Sequence, residues 1–211
     1  MTYSKVLHQK YNPELEQLGQ EFEILLSKDF EHMNLEELKK AEQKFKDFVG
    51  CVEIGDRSDL YTHDGLEQAR DYLWFRITEE ENKNDSVKVG DIFHTSWGYD
   101  QTNTEYFKIT SISKTGKTCE VVQIGSETVK GSEGFMCESI TPTPETVLHD
   151  GKTCKVKIER STSWHPYKKE RQQIGQINLR GSVFFANGND KHLQSLYRVD
   201  PTKSEYRSWY A

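Results

Sequence analysis

Apolar residues recur at helical spacing through the first third of the chain, which predicts three helices. Each helix has a start signal in which a capping side chain precedes acidic residues, at residues 12–14, 34–37 and 64–67. The apolar stripes that follow are Leu15, Leu18, Phe22, Leu25 and Leu26; Leu38, Ala41, Phe45, Phe48 and Val49; and Leu66, Ala69, Leu73 and Ile77. Gly50 is expected to end the second helix, and the third is expected to give way to a polar linker over residues 79–85.

After residue 85 the pattern alternates between apolar and polar positions, which predicts short antiparallel strands. The predicted strands cover residues 87–93, 105–113, 118–124, 153–159 and 176–185, with turns at 114–117 and 187–189. Residues 125–134 are expected to form a polar loop and residues 141–144 an extended connector. The sequence therefore predicts an α+β fold, with N-terminal helices before a strongly bent antiparallel sheet or a small SH3-like β-barrel. The predicted domains are an acidic helical region, 1–85, and a β-rich region, 86–211, whose tail returns to close the sheet beside Trp97.

The overall composition is that of a globular protein and not of a disordered one. Of 211 residues only 34% are hydrophobic, and the mean hydropathy is −0.82, but aromatic residues make up 11%. Large rings supply core area that a shortage of aliphatic residues would otherwise deny. No apolar run reaches 18 residues and no secretory signal is visible, so we expect no membrane contact and a cytoplasmic location. The four cysteines form no CxxC pair, and we expect no metal and no cofactor.

The segment 97–103 contains two aromatic, two amide and one carboxylate side chain, which is unusual for a loop that only connects two strands. Trp and Tyr rings stack on flat partners, whereas amides and carboxylates read the hydrogen-bonding groups of a partner. The predicted ligand-binding residues of this region are Trp97, Tyr99, Asp100, Gln101, Asn103 and Tyr106. The alternative is a self-contained scaffold, in which Trp97 and Tyr106 are core residues and Asn103 bonds the backbone of the loop.

The formal charge is distributed unevenly along the chain. Residues 1–81 hold 10 basic and 19 acidic residues, a net −9, whereas residues 152–211 hold 12 and 5, a net +7. In this last third Lys155, Lys157, Arg160, Lys168, Lys169, Arg171 and Arg180 are interleaved with Trp164, His165, Tyr167, Phe184 and Phe185. Cations among rings are typical of a nucleic-acid surface, for which Lys155, Lys157, Trp164 and Arg171 are the candidate contacts. The alternative is an ordinary solvated strand face.

A possible acid–base set is formed by His94, Asp100, Glu105 and His165. Such groups catalyse proton transfer only when they converge within hydrogen-bonding reach of one substrate. No HExxH, GxSxG, P-loop or GxGxxG motif accompanies them. The sequence therefore predicts no catalytic residue, and a small nucleotide-binding protein or hydrolase remains an alternative.

The segment 89–103, with its GDIF-x-x-SWGYDQTN motif, resembles a group of small uncharacterised proteins carried by bacteriophages and other mobile elements. The likeness continues in the second strand at 106–109 and in the tail at 196–200 and 204–211. The resemblance carries no assigned chemistry. It implies an accessory protein that acts by binding in the cytoplasm of a bacterial host, with a possible role against host defence.

The leading functional hypothesis is a non-catalytic binding protein that recognises nucleic acid or a nucleic-acid-handling host complex. Its recognition surface would combine the segment 97–103 with the basic C-terminal third. The alternative from a different class is an inhibitor that docks on a host protein through its acidic N-terminal helices.

Overall fold

The computed structural model describes residues 30–52, 64–98, 101–168, 170–184, 190–200 and 203–209. The predicted helix that starts at residue 12 lies outside them. The chain divides into two compact units, residues 1–84 with 162–175 and residues 85–161 with 176–211. None of the helices among the described residues has the length and apolar character needed to cross a membrane.

The described part of the helical unit contains a short 3-10 turn, Phe30–His32, and two helices, α1 (Leu35–Val52) and α2 (Asp64–Asn82). The predicted capping box at the start of α1 is present. The Asn34 side-chain oxygen accepts from the backbone N–H of Glu37 at 3.1 Å, and the Glu37 carboxylate accepts from the backbone N–H of Asn34 at 3.0 Å. This reciprocal pair satisfies donors that a helix start otherwise leaves without partners.

The apolar stripes of α1 and α2 pack together as predicted. The buried core of this unit consists of Phe30, Leu38, Ala41, Leu73 and Ile77. Helix α1 continues two residues beyond the predicted stop at Gly50. Helix α2 continues to Asn82, so the predicted linker at 79–85 is largely helical, because the Arg76 guanidinium contacts the carboxylates of Glu79 and Glu80 on the same helix face.

The rest of the described chain is mainly β-structure, with a second 3-10 turn at His149–Gly151. The strands are β1 (Ile92–Trp97), β2 (Asn103–Ile112), β3 (Thr118–Thr128), β4 (Cys137–Val147), β5 (Thr153–Trp164), β6 (Arg171–Phe184), β7 (Lys191–Arg198) and β8 (Glu205–Ser208). Three of the predictions for this region are wrong. The strand predicted over residues 87–93 begins only at Ile92. Strand β3 runs on through Thr128 into the predicted polar loop, and the predicted connector 141–144 lies inside β4. Pairing across the β3–β4 ladder, in which Ser126 faces Pro142, holds these polar and proline-rich residues in strands despite their low propensity.

The eight strands form one antiparallel sheet in the order β2-β1-β7-β6-β5-β3-β4-β8, and β2 also pairs with β3. Six strands, β1, β2, β3, β5, β6 and β7, therefore form a closed circuit of pairings, which we call the main ring. Strands β2, β3, β4 and β8 form a second circuit, the side ring, because Ser208 donates its backbone N–H to the carbonyl of Thr102 at 2.8 Å. The predicted return of the tail is confirmed, since His94 on β1 pairs with Tyr197 on β7.

Each ring encloses its own apolar core, and β2 and β3 contribute to both. The main core contains Phe93, Phe107, Ile109, Cys119, Val121, Cys154, Val156, Leu179, Val183 and Leu196. The side core contains Tyr106, Val122, Ile124 and Ile140. Successive side chains of a strand point to opposite faces, so Phe107 fills the main core while Tyr106 fills the side core. The two helices and the eight-stranded antiparallel sheet together confirm the predicted α+β class.

Candidate functional site

The motif segment 97–103 begins at the last residue of β1, Trp97, and ends at the first residue of β2, Asn103. Trp97 and Asn103 face each other as the last pair of the β1–β2 ladder. Gly98 has a φ of 130°, and a Cβ at this position would lie 1.8 Å from the carbonyl oxygen of Gln101, so only glycine fits there. Gln101 is half-buried at the bend. Two predicted contact residues, Tyr99 and Asp100, lie outside the described residues.

The inward face of the hairpin continues the main core with polar side chains. Thr95 and Glu105 face each other on this side, and both are buried. The hydroxyl of Thr95 donates to the side-chain oxygen of Gln194 on β7 at 3.2 Å. Trp97 and Asn103 lie on the same face and are half-buried. Trp97 and Asn103 therefore border a polar layer at one end of the main core, and each exposes only part of its side chain.

Tyr106 lies in the side core rather than on a binding surface. It is 1% exposed, and its hydroxyl donates to the backbone carbonyl of Ile140 at 3.0 Å. Burial, followed by the negative charge of Glu205, raises the pKa of the Tyr106 hydroxyl well above its usual range. The location favours the scaffold alternative for this residue, because a ligand could reach the ring only if the core opened.

Two of the groups proposed for acid–base chemistry, His94 and Glu105, point to opposite sides of the sheet. His94 faces Tyr106 across the β1–β2 ladder and Glu105 faces Thr95, so the two side chains lie on opposite faces of the sheet. His165 is buried in the helical unit, where its Nδ1 accepts the backbone N–H groups of Tyr167 and Lys168, both at 3.2 Å. Opposite placement of His94 and Glu105 rules out a shared substrate for this pair, and Asp100 lies outside the described residues.

The predicted basic residues fall into two groups, one in each unit. Lys155 and Lys157 are exposed on β5, where they alternate with the buried Cys154 and Val156. Trp164 (58% exposed) and Arg171 (exposed) belong to residues 162–175 of the helical unit. The structure therefore brings Lys155 and Lys157 together in one unit, and places Trp164 and Arg171 in the other.

Strand β6 adds a third cation beside those of β5. A Cβ on Gly181 would lie 3.0 Å from the Cα of Val156, so these two residues are neighbours across the β5–β6 pair. Alternation then places the exposed Arg180 on the outward face next to Lys157. Among the described residues none forms an ion pair with Lys155, Lys157 or Arg180.

Strand β7 supplies exposed apolar groups to the same outward face. Leu193 is 64% exposed and Tyr197 is 51% exposed. Arg180 pairs with Ser195, which lies two residues before Tyr197, so the guanidinium and the ring are diagonal neighbours on one face. We define the strand face as the outward side chains Lys155, Lys157, Arg180, Leu193 and Tyr197.

The sequence analysis identified the cations of the strand face but not its two apolar side chains, Leu193 and Tyr197. The alternation of residues 153–159 identified the two lysines, and Arg180 belonged to the basic third. Tyr197 and Leu193 were not singled out, because residues 193–197 do not alternate between apolar and polar side chains. Their exposure depends on the pairing of β7 with β1 and β6, which local sequence does not show. No group of His, Cys, Asp and Glu side chains in the described part of the chain is arranged to hold a metal ion.

The resemblance to mobile-element proteins rests on the motif residues and stays a prediction. Comparison of the chain with models of protein families, with curated proteins and with solved structures finds no match.

Proposed function

We propose that the protein is a non-catalytic binding protein that takes single-stranded nucleic acid on the strand face. The observation that carries the proposal is the group of three exposed cations, Lys155, Lys157 and Arg180, beside the exposed ring of Tyr197. Cations at strand spacing neutralise successive phosphates and release their counterions. An exposed tyrosine gives an unpaired base a surface on which to stack.

The lysines of helix α1 are less suited to binding phosphates than the cations of the strand face. On α1 three lysines are already engaged in ion pairs: Lys39 with Glu81, Lys40 with Glu36 and Lys46 with Glu42. Their partners offset the positive charge that a helix needs to follow a phosphate backbone. No described residue forms an ion pair with a cation of the strand face, although the exposed Glu120 faces Lys155 across the β3–β5 ladder and the exposed Glu159 lies two residues after Lys157.

A single strand fits the face better than a duplex does. Stacking on Tyr197 requires an unpaired base, because the bases of a duplex are covered above and below by their neighbours. The outward positions of β6 and β7 around the ring are Asn178, Arg180, Ser182, Leu193 and Ser195, and none of them is acidic. These positions of β6 and β7 present no carboxylate to a phosphate backbone, whereas on β5 the exposed Glu159 lies on the same outward face as Lys157.

The proposal includes a finer description of the fold and of the biological setting. The closed circuit of pairings supports a small SH3-like barrel for the main ring, which would make the strand face a curved outer wall. The resemblance of the motif supports a mobile-element origin and action in the cytoplasm of a bacterial host. In the host, the protein would then bind either free nucleic acid or nucleic acid that is already part of a host protein complex.

The test is a salt titration of oligonucleotide binding, followed by fluorescence anisotropy with labelled oligothymidylate, its RNA equivalent and a DNA duplex. The variant Lys155→Ala/Lys157→Ala/Arg180→Ala should weaken binding at low salt. It should also reduce the slope of log K against log salt by about 2, since each phosphate contact to a single strand contributes about 0.7.

The matched control is Lys88→Ala/Lys130→Ala/Lys203→Ala, which removes the same charge from exposed lysines elsewhere. It should keep the wild-type slope. The proposal fails if the wild-type protein binds none of the three probes at low salt, or if both triple variants reduce the slope equally.

A further inference from the structure

A row of three rings crosses the sheet from the strand face to the side core. His94 on β1 lies between Tyr197 on β7 and Tyr106 on β2, and it pairs with both. The ring centroids of His94 and Tyr197 are 6.3 Å apart, and those of His94 and Tyr106 are 6.4 Å apart. Exposure falls steeply along the row, from 51% at Tyr197 to 1% at Tyr106. Only the outer end of the row is therefore open to a stacking partner.

A carboxylate lies beside His94, the middle ring of the row. Glu205 begins β8, and its Oε1 lies 3.7 Å from Nε2 of His94. The Glu205 side chain is 27% exposed and that of His94 is 17% exposed, so solvent reaches the carboxylate beside a mostly buried imidazole. The distance to His94 exceeds that of a hydrogen bond, so neither carboxylate oxygen of Glu205 has a described hydrogen-bond donor.

We propose that Tyr197, His94 and Glu205 form a base-recognition subsite that selects guanine in the single strand. This inference rests on the proposed function and specifies its ligand. The base stacks on the exposed ring of Tyr197, and its edge faces Glu205. His94 acts as a positioning residue that holds the carboxylate at the rim of the ring.

Guanine is the base whose Watson–Crick edge fits a carboxylate. Its N1–H and N2–H donors lie side by side and match the two acceptor oxygens of a carboxylate. Adenine, cytosine and thymine each present acceptors beside their donors on this edge, so an acceptor would face the negative charge. An ionised Glu205 therefore favours guanine and disfavours the other three bases.

The subsite is continuous with the cations that the proposed function uses. Arg180 pairs with Ser195, two residues before Tyr197 on β7. A nucleotide stacked on Tyr197 thus has its phosphate within reach of a guanidinium on the next strand. General affinity comes from the cations, and base preference comes from Glu205.

The experiment compares oligothymidylate with the same oligomer carrying one central guanine, adenine or cytosine, and measures each Kd by anisotropy. The wild type should prefer the guanine oligomer by about tenfold. Glu205→Gln keeps the size of the side chain but replaces one acceptor by a donor, so it should abolish this preference and leave the affinity for oligothymidylate unchanged. Tyr197→Ala should weaken binding to all four oligomers by about tenfold.

Glu159→Gln is the matched control, because Glu159 is an exposed carboxylate on β5 outside the subsite. It should keep the guanine preference. Salt-dependent binding without base preference, or a preference that survives Glu205→Gln, would overturn the subsite and leave the proposed function standing. Absence of binding to every oligomer would instead overturn the proposed function.

Discussion

Tyr106 and Phe107 are neighbours in the chain that fill different cores. Both are 1% exposed, and they differ by one hydroxyl group. That group decides their placement, because the side core offers it the carbonyl of Ile140, whereas the main core around Phe107 is lined with apolar and thiol side chains. A buried hydroxyl without a partner costs free energy, so the sequence distinguishes the two faces of β2 at this point.

Tyr106→Phe should lower the free energy of unfolding by about 1 to 2 kcal/mol. The substitution removes the donor and leaves the buried carbonyl of Ile140 without it, while the ring still fills the side core. Urea unfolding followed by circular dichroism measures the change. Tyr197→Phe, at an exposed ring, is the control and should leave stability unchanged. Equal stability of wild type and Tyr106→Phe would show that the buried hydrogen bond contributes nothing net.

At the scale of elements, local signals predicted the helices better than the strands. The capping box at Asn34 and Glu37 fixed the start of α1, because its two hydrogen bonds are made within four residues of chain. The extent of β3 and β4 depended on partners far away in sequence. Residues 125–128 have the composition of a loop, yet the pairing of Ser126 with Pro142 holds them in a strand.

In the candidate site, too, the local sequence predicts the direction of side chains but not which strands lie side by side. The outward direction of Lys155 and Lys157 follows from alternation alone, and both side chains are exposed in the structure. The proximity of Arg180 to Lys157, and of Glu205 to His94, requires the strand order of the sheet. No periodicity in the sequence encodes that order, so the subsite could not be predicted from it.

Strand β8 is fastened to β4 by a charged pair whose strength depends on pH. Glu138 and Arg207 face each other across the two strands, and the Arg207 Nε donates to the Glu138 carboxylate at 2.8 Å. The hydroxyl of Thr128 donates to the same carboxylate at 2.6 Å. The hydrogen bond from Thr128, together with that from Arg207, lowers the pKa of Glu138 below its ordinary value of 4.5.

Because the folded-state pKa of Glu138 is lowered, its stabilising contribution is present above pH 4.5 and is lost as the pH falls through the folded value. Glu138→Gln should therefore unfold at lower urea concentration near neutral pH, and should lose less stability than the wild type on acidification. Urea titrations across the acid range measure both effects. Glu145→Gln, on the exposed part of β4, should follow the wild-type pH profile. A wild-type profile for Glu138→Gln would contradict the linkage.

At the scale of the whole molecule, Asp85 ties the start of the second unit to three strands. Its carboxylate accepts from the guanidinium of Arg198 on β7 and from the backbone N–H of Ile177 on β6 at 3.0 Å. Its backbone carbonyl accepts from Arg160 on β5 at 2.9 Å. One residue thus joins parts of the chain that lie between 75 and 113 positions away.

Asp85→Ala should destabilise the protein by about 2 to 4 kcal/mol, because it leaves the Ile177 N–H without its acceptor and leaves Arg198 only the longer contact with Asp91, at 3.4 Å, as a described carboxylate partner. The side chain of Asp85 is 15% exposed, so water replaces little of the lost interaction. Thermal and urea unfolding give the change. Asp71→Ala, which removes the exposed pair with Arg70, should change stability by less than about 1 kcal/mol. Similar losses in the two variants would show that the Asp85 network is no stronger than a surface ion pair.

Strands β2 and β3, which the main ring and the side ring share, form a common wall between the two cores, and this restricts the register of the sheet. A slip of β2 by one residue would exchange the sides of Tyr106 and Phe107, and would carry a hydroxyl into the main core while the Ile140 carbonyl lost its donor. A slip of β2 is therefore unfavourable in both cores: the main core would bury a hydroxyl, and the side core would lose the donor to Ile140. We expect β2 and β3 to be the last strands to open and the two rings to unfold as one cooperative unit, since neither core survives the loss of the wall between them.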